Sequence, residues 1–339
     1  MQRIPSIEEL SEVVENTARC VAPHGTLCCP TQHAVLPHAA RRVDVSVVTV
    51  CYNPLEAGRR EVFRKNLDSV QAQEGVSLEH LIIDGASTDG TLEWLSAYQG
   101  TRHDIRILSQ PDSGIYEAMN RGIALARGKY VIFLNSDDYF HDPRGMAVSA
   151  SRLEELGCEF SFAPVRFSDS SVRHNPQLAP QRRLYRFIIS WCFSHQTMLT
   201  SRSLLRRIDG FDTFYRSAAD YDLLLRMIAA GAKGCFVPLT FATFSTGGFS
   251  EQNYDCATGE CILSLQGFFR DFFHVTMSHS EAEYVFTHRV FPRKYIDLYK
   301  STQKLIRERF IGIPDSPVAW LLRRFNYIKY YLKCLFTSI

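Results

Sequence analysis

The chain has 339 residues, 45% of them hydrophobic, enough to bury one large α/β core and a smaller appended unit. Its formal charge of +2 offers no overall attraction to a polyanion, so nucleic acid is not an expected partner. No run approaches the roughly 18 apolar residues of a membrane span, the N-terminus lacks the apolar core of a signal peptide, and the ten cysteines form no C-x-x-C pair, so a cytoplasmic protein with reduced thiols is expected.

Residues 1–42 mix charge, Pro and His and form an extension, with a short helix expected at 6–18. Cys28 and Cys29 stand near His24, His33 and His38, and a loosely ordered leader with incidental ligand types accounts for them without a metal. From Val43 the pattern becomes regular. Val45 to Cys51 is an apolar, β-branched strand, Phe63, Leu67 and Val70 mark one face of a helix, and His80 to Asp84 is a second strand. A short helix follows the turn Ser87-Thr88-Asp89-Gly90. Then come a strand at Ile105 to Leu108, a helix from Ile115 to Ala126 and the strand Tyr130 to Leu134.

This alternation predicts a largely parallel sheet with helices on both faces, and ligands of such sheets bind at the carboxyl ends of the strands. The residues to watch are therefore Tyr52, Asn53 and Asp84, and the run Asn135-Ser136-Asp137-Asp138. After 142 the rhythm loosens, with strands expected near Glu159 to Val165 and a helix at Ala219 to Ala230. The α/β domain is bounded at 43–250, and 251–339 reads as a mainly helical C-terminal region. Its last helix has Ser316 as N-cap and Pro317 at the first position. Val318, Leu321, Leu322, Phe325, Ile328, Leu332, Leu335 and Phe336 form one apolar stripe there, with Arg323, Arg324 and Lys333 off it. Such a stripe suits peripheral contact with an anionic inner membrane surface, and suits equally well packing on the protein's own core or on a second copy in a homo-oligomer.

Adjacent Asp137 and Asp138 at a strand end repel unless a cation or a proton relieves them. In extended backbone only one of them faces the cleft, and Mn2+ or Mg2+ held by one or two carboxylates plus substrate phosphates fits so sparse a ligand set. The plainer reading is a polar turn before His141-Asp142-Pro143. On a helix, Asp220 and Asp222 lie about 200° apart. Asp222 can then pair with Arg226, while Asp220 is either an N-cap or a positioned general base. Neither G-x-G-x-x-G after the first strand, G-x-x-x-x-G-K-[ST], H-E-x-x-H nor G-x-S-x-G is present, which takes support from dinucleotide oxidoreductases, P-loop NTPases, zincins and α/β-hydrolases.

Seven segments, taken in order, resemble the inverting family-2 glycosyltransferases of the GT-A fold, particularly bacterial members that build surface polysaccharides. They are VSVVTVCYN (45–53), LIIDGASTDGT (81–91), QPDSGIYEAMNRGIALARG (110–128), YVIFLNSDD (130–138), SHQ (194–196), GFDTFYRSAADYDLLLR (210–226) and GGFS (247–250). The resemblance implies a GT-A nucleotide-binding fold and transfer of a sugar from a nucleotide-sugar, by family habit a UDP-sugar, to an acceptor hydroxyl of a glycan or lipid-linked saccharide. By the same resemblance Thr49, Tyr52, Asn53, Asp84, Asn120, Arg121, Asn135 and Ser136 bind the donor nucleotide, and Asp137 holds Mn2+ or Mg2+. Asp138, His195, Gln196, Gly247 and Gly248 approach the donor sugar or acceptor, and Asp220 is the catalytic base. Where the family carries the first aspartate of D-x-D this chain has Asn135, which weakens two-carboxylate metal coordination and keeps open a non-catalytic nucleotide-sugar-binding or scaffolding subunit. A nucleotidyltransferase would need a Gly-rich basic loop where Tyr52-Asn53-Pro54-Leu55 stands.

Overall fold

The structure is a computed structural model and describes residues 19–21, 27–28, 43–56, 58–100, 102, 104–169, 171–173, 185–190, 194–247 and 253–313. The helix expected at 6–18, the His/Cys group apart from Cys28, Gly248 and the terminal amphipathic helix lie outside these residues.

The centre is a parallel run of strands. β1 (Arg19–Val21) and β2 (Leu27–Cys28) precede β3 (Val45–Cys51), β4 (Leu78–Asp84), β5 (Ile105–Ser109) and β6 (Tyr130–Phe133). β3 pairs in parallel with β4 over its whole length and with β6 on its other edge, and β5 continues the parallel order beyond β4. Every residue of β3 is buried, which requires helices on both faces. α1 (Arg60–Gln71) buries Phe63, Leu67 and Val70 on one face, α2 (Thr91–Gln99) adds Leu95, and α3 (Ile115–Leu125) lays Met119 and Ile123 against Val48 and Val50 on the other. Each such fully buried side chain contributes about 1.5–3 kcal/mol of transfer free energy. α3 comes so close that a Cβ at Gly122 would lie 2.3 Å from Val48 Cγ1, so only glycine allows that approach.

Beyond β6 the regular alternation stops. β7 (Tyr139–Phe140) and α4 (Gly145–Leu156) lead into the segment where strands are expected near Glu159 to Val165. It divides at Ala163-Pro164 into β8 (Phe160–Phe162) and β9 (Val165–Phe167), because proline lacks the N–H that would continue the ladder. β8 joins the main sheet and β9 a second, four-stranded sheet in the order β10-β9-β13-β7, with β10 at Val172–Arg173 and β13 at Ala242–Phe244. The main sheet is completed by β11 (Thr200–Ser201), β12 (Gly234–Phe236) and β14 (Phe310–Ile311), in the order β14-β12-β8-β11-β6-β3-β4-β5-β1-β2. β1 and β2 thus extend the sheet from within the stretch that reads in sequence as an extension.

The remaining helices are α5 (Arg186–Ile189), α6 (Arg202–Arg207), α7 (Ala219–Ala229), α8 (Tyr254–Phe273), α9 (His279–His288) and α10 (Ile296–Arg309). α9 starts with a capping box between Ser278 and Glu281. These C-terminal helices share one hydrophobic cluster with the α/β part. Leu265, Phe269, Phe291 and Ile306 pack with Phe160, Phe162, Leu224 and Phe236. Among the described residues no helix is long and apolar enough to cross a membrane.

Candidate active site

The carboxyl ends of β3 and β4 carry two loops stapled together. Asn53, at φ 44°, donates its N–H to Ser87 Oγ at 2.8 Å and accepts from Thr88 N at 2.8 Å through Oδ1. Asp89 Oδ2 accepts from Leu55 N and Glu56 N at 2.7 and 2.8 Å. Asp84 is fully buried and accepts from Ser87 N, Ser87 Oγ, Ser109 Oγ and Cys51 Sγ, so its carboxylate organises the loop from within. Above it Tyr52 is 68% exposed. A Cβ at Gly85 would fall 2.9 Å from Asp112 Oδ2 and 3.3 Å from the Tyr52 ring, which makes Gly85 the bare floor between an aromatic face and a carboxylate. Asp112 is half-buried, and burial raises its pKa.

At the end of β6 the chain turns tightly, with Asp138 N donating to Asn135 O at 3.0 Å. The two aspartates diverge as expected, although a turn rather than extended backbone separates them. Asp138 is buried and accepts from Gln196 Nε2 at 2.6 Å and Ser245 N at 2.8 Å. Asp137 stays 20% exposed and faces Arg59 Nη1 at 3.6 Å. Burial pushes both carboxyls up, Asp138 to about 7 with the Asp137 charge adding to burial, while Arg59 and His195 draw Asp137 back. The Asn135 carboxamide oxygen is buried without a protein partner. Among the described residues no group of three or more His, Cys, Asp or Glu is arranged to hold a metal alone. One partly exposed carboxylate, with an unsatisfied amide oxygen two residues earlier in the same turn, fits a cation that arrives with phosphate oxygens and fits no closed protein cage.

Asp220 stands in the first turn of α7, whose N-cap is Ala218, so Asp220 does not serve as the N-cap. Its Oδ2 lies 3.5 Å from His195 Nδ1, with the two side chains 36% and 17% exposed. His195 Nε2 is buried without a partner. His195 also acts electrostatically on Asp137 and Asp138, so Asp137, Asp138, His195, Gln196 and Asp220 form one constellation drawn from β6, the 195–197 turn and α7. Asp222, on the other side of α7, pairs with Arg226 Nε at 2.6 Å and accepts from Ser264 Oγ at 2.9 Å.

Other expected residues lie elsewhere. Thr49 is fully buried under α1, bonded to His80 Nε2 at 2.9 Å and Asn66 Oδ1 at 3.5 Å. Asn120 is buried with both ends of its amide on the Phe211 backbone, at 2.8 Å each. Arg121, also buried, spends its guanidinium on Gln110 O, Pro111 O and Glu117. It shapes the loop that carries Asp112. Ser136 lies in the turn beside Asp137, and Gly247 follows Ser245 at φ 84°. The sequence did not reveal Asn66, whose Nδ2 donates to both Asn135 O and Asp138 O at 2.8 Å, nor Ser245, whose hydroxyl donates to Asp137 O. A polar residue at a position that otherwise reads as buried helix face was the available signal for Asn66. Ser245 lies 108 positions from Asp137 and gave none.

The model of the family Glycosyl transferase family 2 matches residues 46–213. An uncharacterized glycosyltransferase of Mycobacterium tuberculosis is 31% identical over 199 residues, covering 54% of this chain and 68% of that protein. Chondroitin synthase of Pasteurella multocida is 29% identical over 197 residues, covering 57% of this chain and 20% of the synthase. Two solved structures share the fold. S. aureus TarS 1–349 aligns with a TM-score of 0.53 at 16% identity over 77% of each chain. The mannosyltransferase PcManGT of Pyrobaculum calidifontis, in complex with GDP-Man and Mn2+, aligns with a TM-score of 0.55 at 17% identity over 89% of this chain and 86% of that one.

Proposed function

This chain belongs to glycosyltransferase family 2, and from that premise we propose that it is an inverting transferase acting on a nucleotide-sugar, by preference a UDP-sugar. The acceptor is a hydroxyl of a glycan or lipid-linked saccharide of the cell surface. The observation that carries the reading is the constellation of Asp220, His195 and the Asp137 turn at the carboxyl end of β6. The nucleobase packs on the exposed Tyr52 ring over Gly85, with Asp112 Oδ2 beside it as acceptor. Asp84 contributes from beneath by fixing the loop. Relatives named chondroitin synthase and PGL/p-HBAD biosynthesis glycosyltransferase support a surface-glycan product.

In this reading Asp220 accepts the proton of the acceptor hydroxyl as its oxygen attacks the anomeric carbon, and the bond to the nucleoside diphosphate breaks on the opposite face, inverting configuration. His195 beside Asp220 orients that carboxylate. Asp137, with the Asn135 amide oxygen, would hold Mn2+ or Mg2+. Bound there, the ion supplies charge neutralisation to the departing diphosphate. The buried Asp138 keeps the turn in shape through Gln196 and Ser245.

The test is incubation of the protein with UDP-, GDP- and dTDP-sugars, with and without Mn2+ or Mg2+, against a set of methyl glycosides, reading released nucleoside diphosphate. Metal-dependent release from one donor, lost in Asp137→Ala, is expected. Absence of both release and calorimetric donor binding would refute the reading.

A further inference from the structure

The family match ends at residue 213, so it covers neither the base-bearing helix α7 nor the helical region past 251. α7 has an unusual start. Its N-cap, Ala218, has no side-chain acceptor, and the amides leading into the helix need one from elsewhere. Glu260 on α8 supplies it. Its Oε1 accepts from Arg216 N at 2.9 Å, and its Oε2 accepts from Ser217 N at 2.8 Å and Ala218 N at 3.0 Å. A carboxylate placed there also complements the positive end of the helix dipole. The clamped amides end two residues before Asp220. On the other side Tyr116 of α3 packs in one hydrophobic cluster with Ala219 and Leu223, so the start of α7 is held between α3 and α8.

We propose that Glu260 is the positioning residue for Asp220. By gripping three consecutive amides it sets where the base carboxylate lies, and it makes the helical region past 251 a working part of the active site. The proposal rests on the reading of Asp220 as the base. Misplacing a catalytic group by about 1 Å costs on the order of 10²-fold in rate, which is the scale expected when three anchoring bonds are removed.

The experiment uses the full chain, the donor that wild-type protein turns over and a methyl glycoside or water as acceptor. Glu260→Ala is expected to lower kcat by about 10²-fold with donor KM and calorimetric donor affinity unchanged. Glu260→Gln, which keeps one amide-accepting oxygen, is expected to fall between Glu260→Ala and wild type, and it serves as the folded variant should alanine impair folding. Ser264→Ala removes a different hydrogen bond between α7 and α8, the one to Asp222, and should leave kcat near wild type. In an Asp220→Asn background, removing Glu260 should cost nothing further, because its effect passes through Asp220. Wild-type turnover by both Glu260 variants, or a full additional loss in the Asp220→Asn background, would overturn the proposal. Retained turnover by Asp220→Asn alone would instead overturn the assignment of the base.

Discussion

Asp137 and Asp138 are sequence neighbours with opposite fates. The sequence foretold that their side chains would part but not which groups would bury Asp138, since Gln196 and Ser245 come from distant loops. Asn120, Arg121 and Thr49 show the reverse case. Their motif positions suggested ligand contacts, yet their polar atoms are engaged inside the protein, a fact set by packing that no local pattern encodes. His80 carries a prediction about pH. It is fully buried, its Nε2 meets Thr49 and its Nδ1 has no partner, and burial lowers its pKa from 6.5 to about 3. A lowered folded-state pKa gives stability that is complete above 6.5 and is lost as pH falls towards 3, with a slope of up to about 1.4 kcal/mol per pH unit. Urea melts of wild type and His80→Gln across that range should show a shallower acid limb in the variant. Ala86 sits at φ 62° in the loop that Asp84 organises. Ala86→Gly should relieve roughly 1 kcal/mol of left-handed strain, read as a raised denaturation midpoint.

At the scale of elements, the parallel run β3 to β6 and helices α1 to α3 were legible because apolar, β-branched residues dominate the strands, although Glu79, His80 and Arg106 interrupt β4 and β5, and because α1 carries an apolar stripe at Phe63, Leu67 and Val70. The two-residue strands β7, β11 and β14 were not, since so short a segment has no period. α1 does more than cover the sheet. Through Asn66 it holds both carbonyls of the Asn135–Asp138 turn, and Thr49 and His80 complete a buried polar chain from β4 to that turn. Asn66→Ala would leave two carbonyls without that donor and should cost about 1–3 kcal/mol in equilibrium unfolding. Metal-dependent donor affinity should weaken with it. Gly122→Ala would drive a methyl into Val48, and an overpacking loss of about 1–3 kcal/mol is expected from the same measurement.

At the scale of the molecule, a C-terminal helical region was legible, but its union with the α/β core was not. Leu265, Phe269 and Ile306 are buried against Phe160 and Phe236, and β14 adds a strand to the main sheet. A protein truncated at residue 250 should therefore melt at a lower temperature and bind a hydrophobic dye, whereas a cooperative, wild-type-like melt would show the two parts to be independent. The central claim is that this fold brings a base to a nucleotide-sugar, and its most direct test compares nucleoside diphosphate release by wild type and Asp220→Asn at saturating donor, with donor binding measured in parallel. The account predicts unchanged binding and a loss of turnover of about 10²–10⁴-fold. Near-normal turnover by a folded Asp220→Asn protein would contradict it.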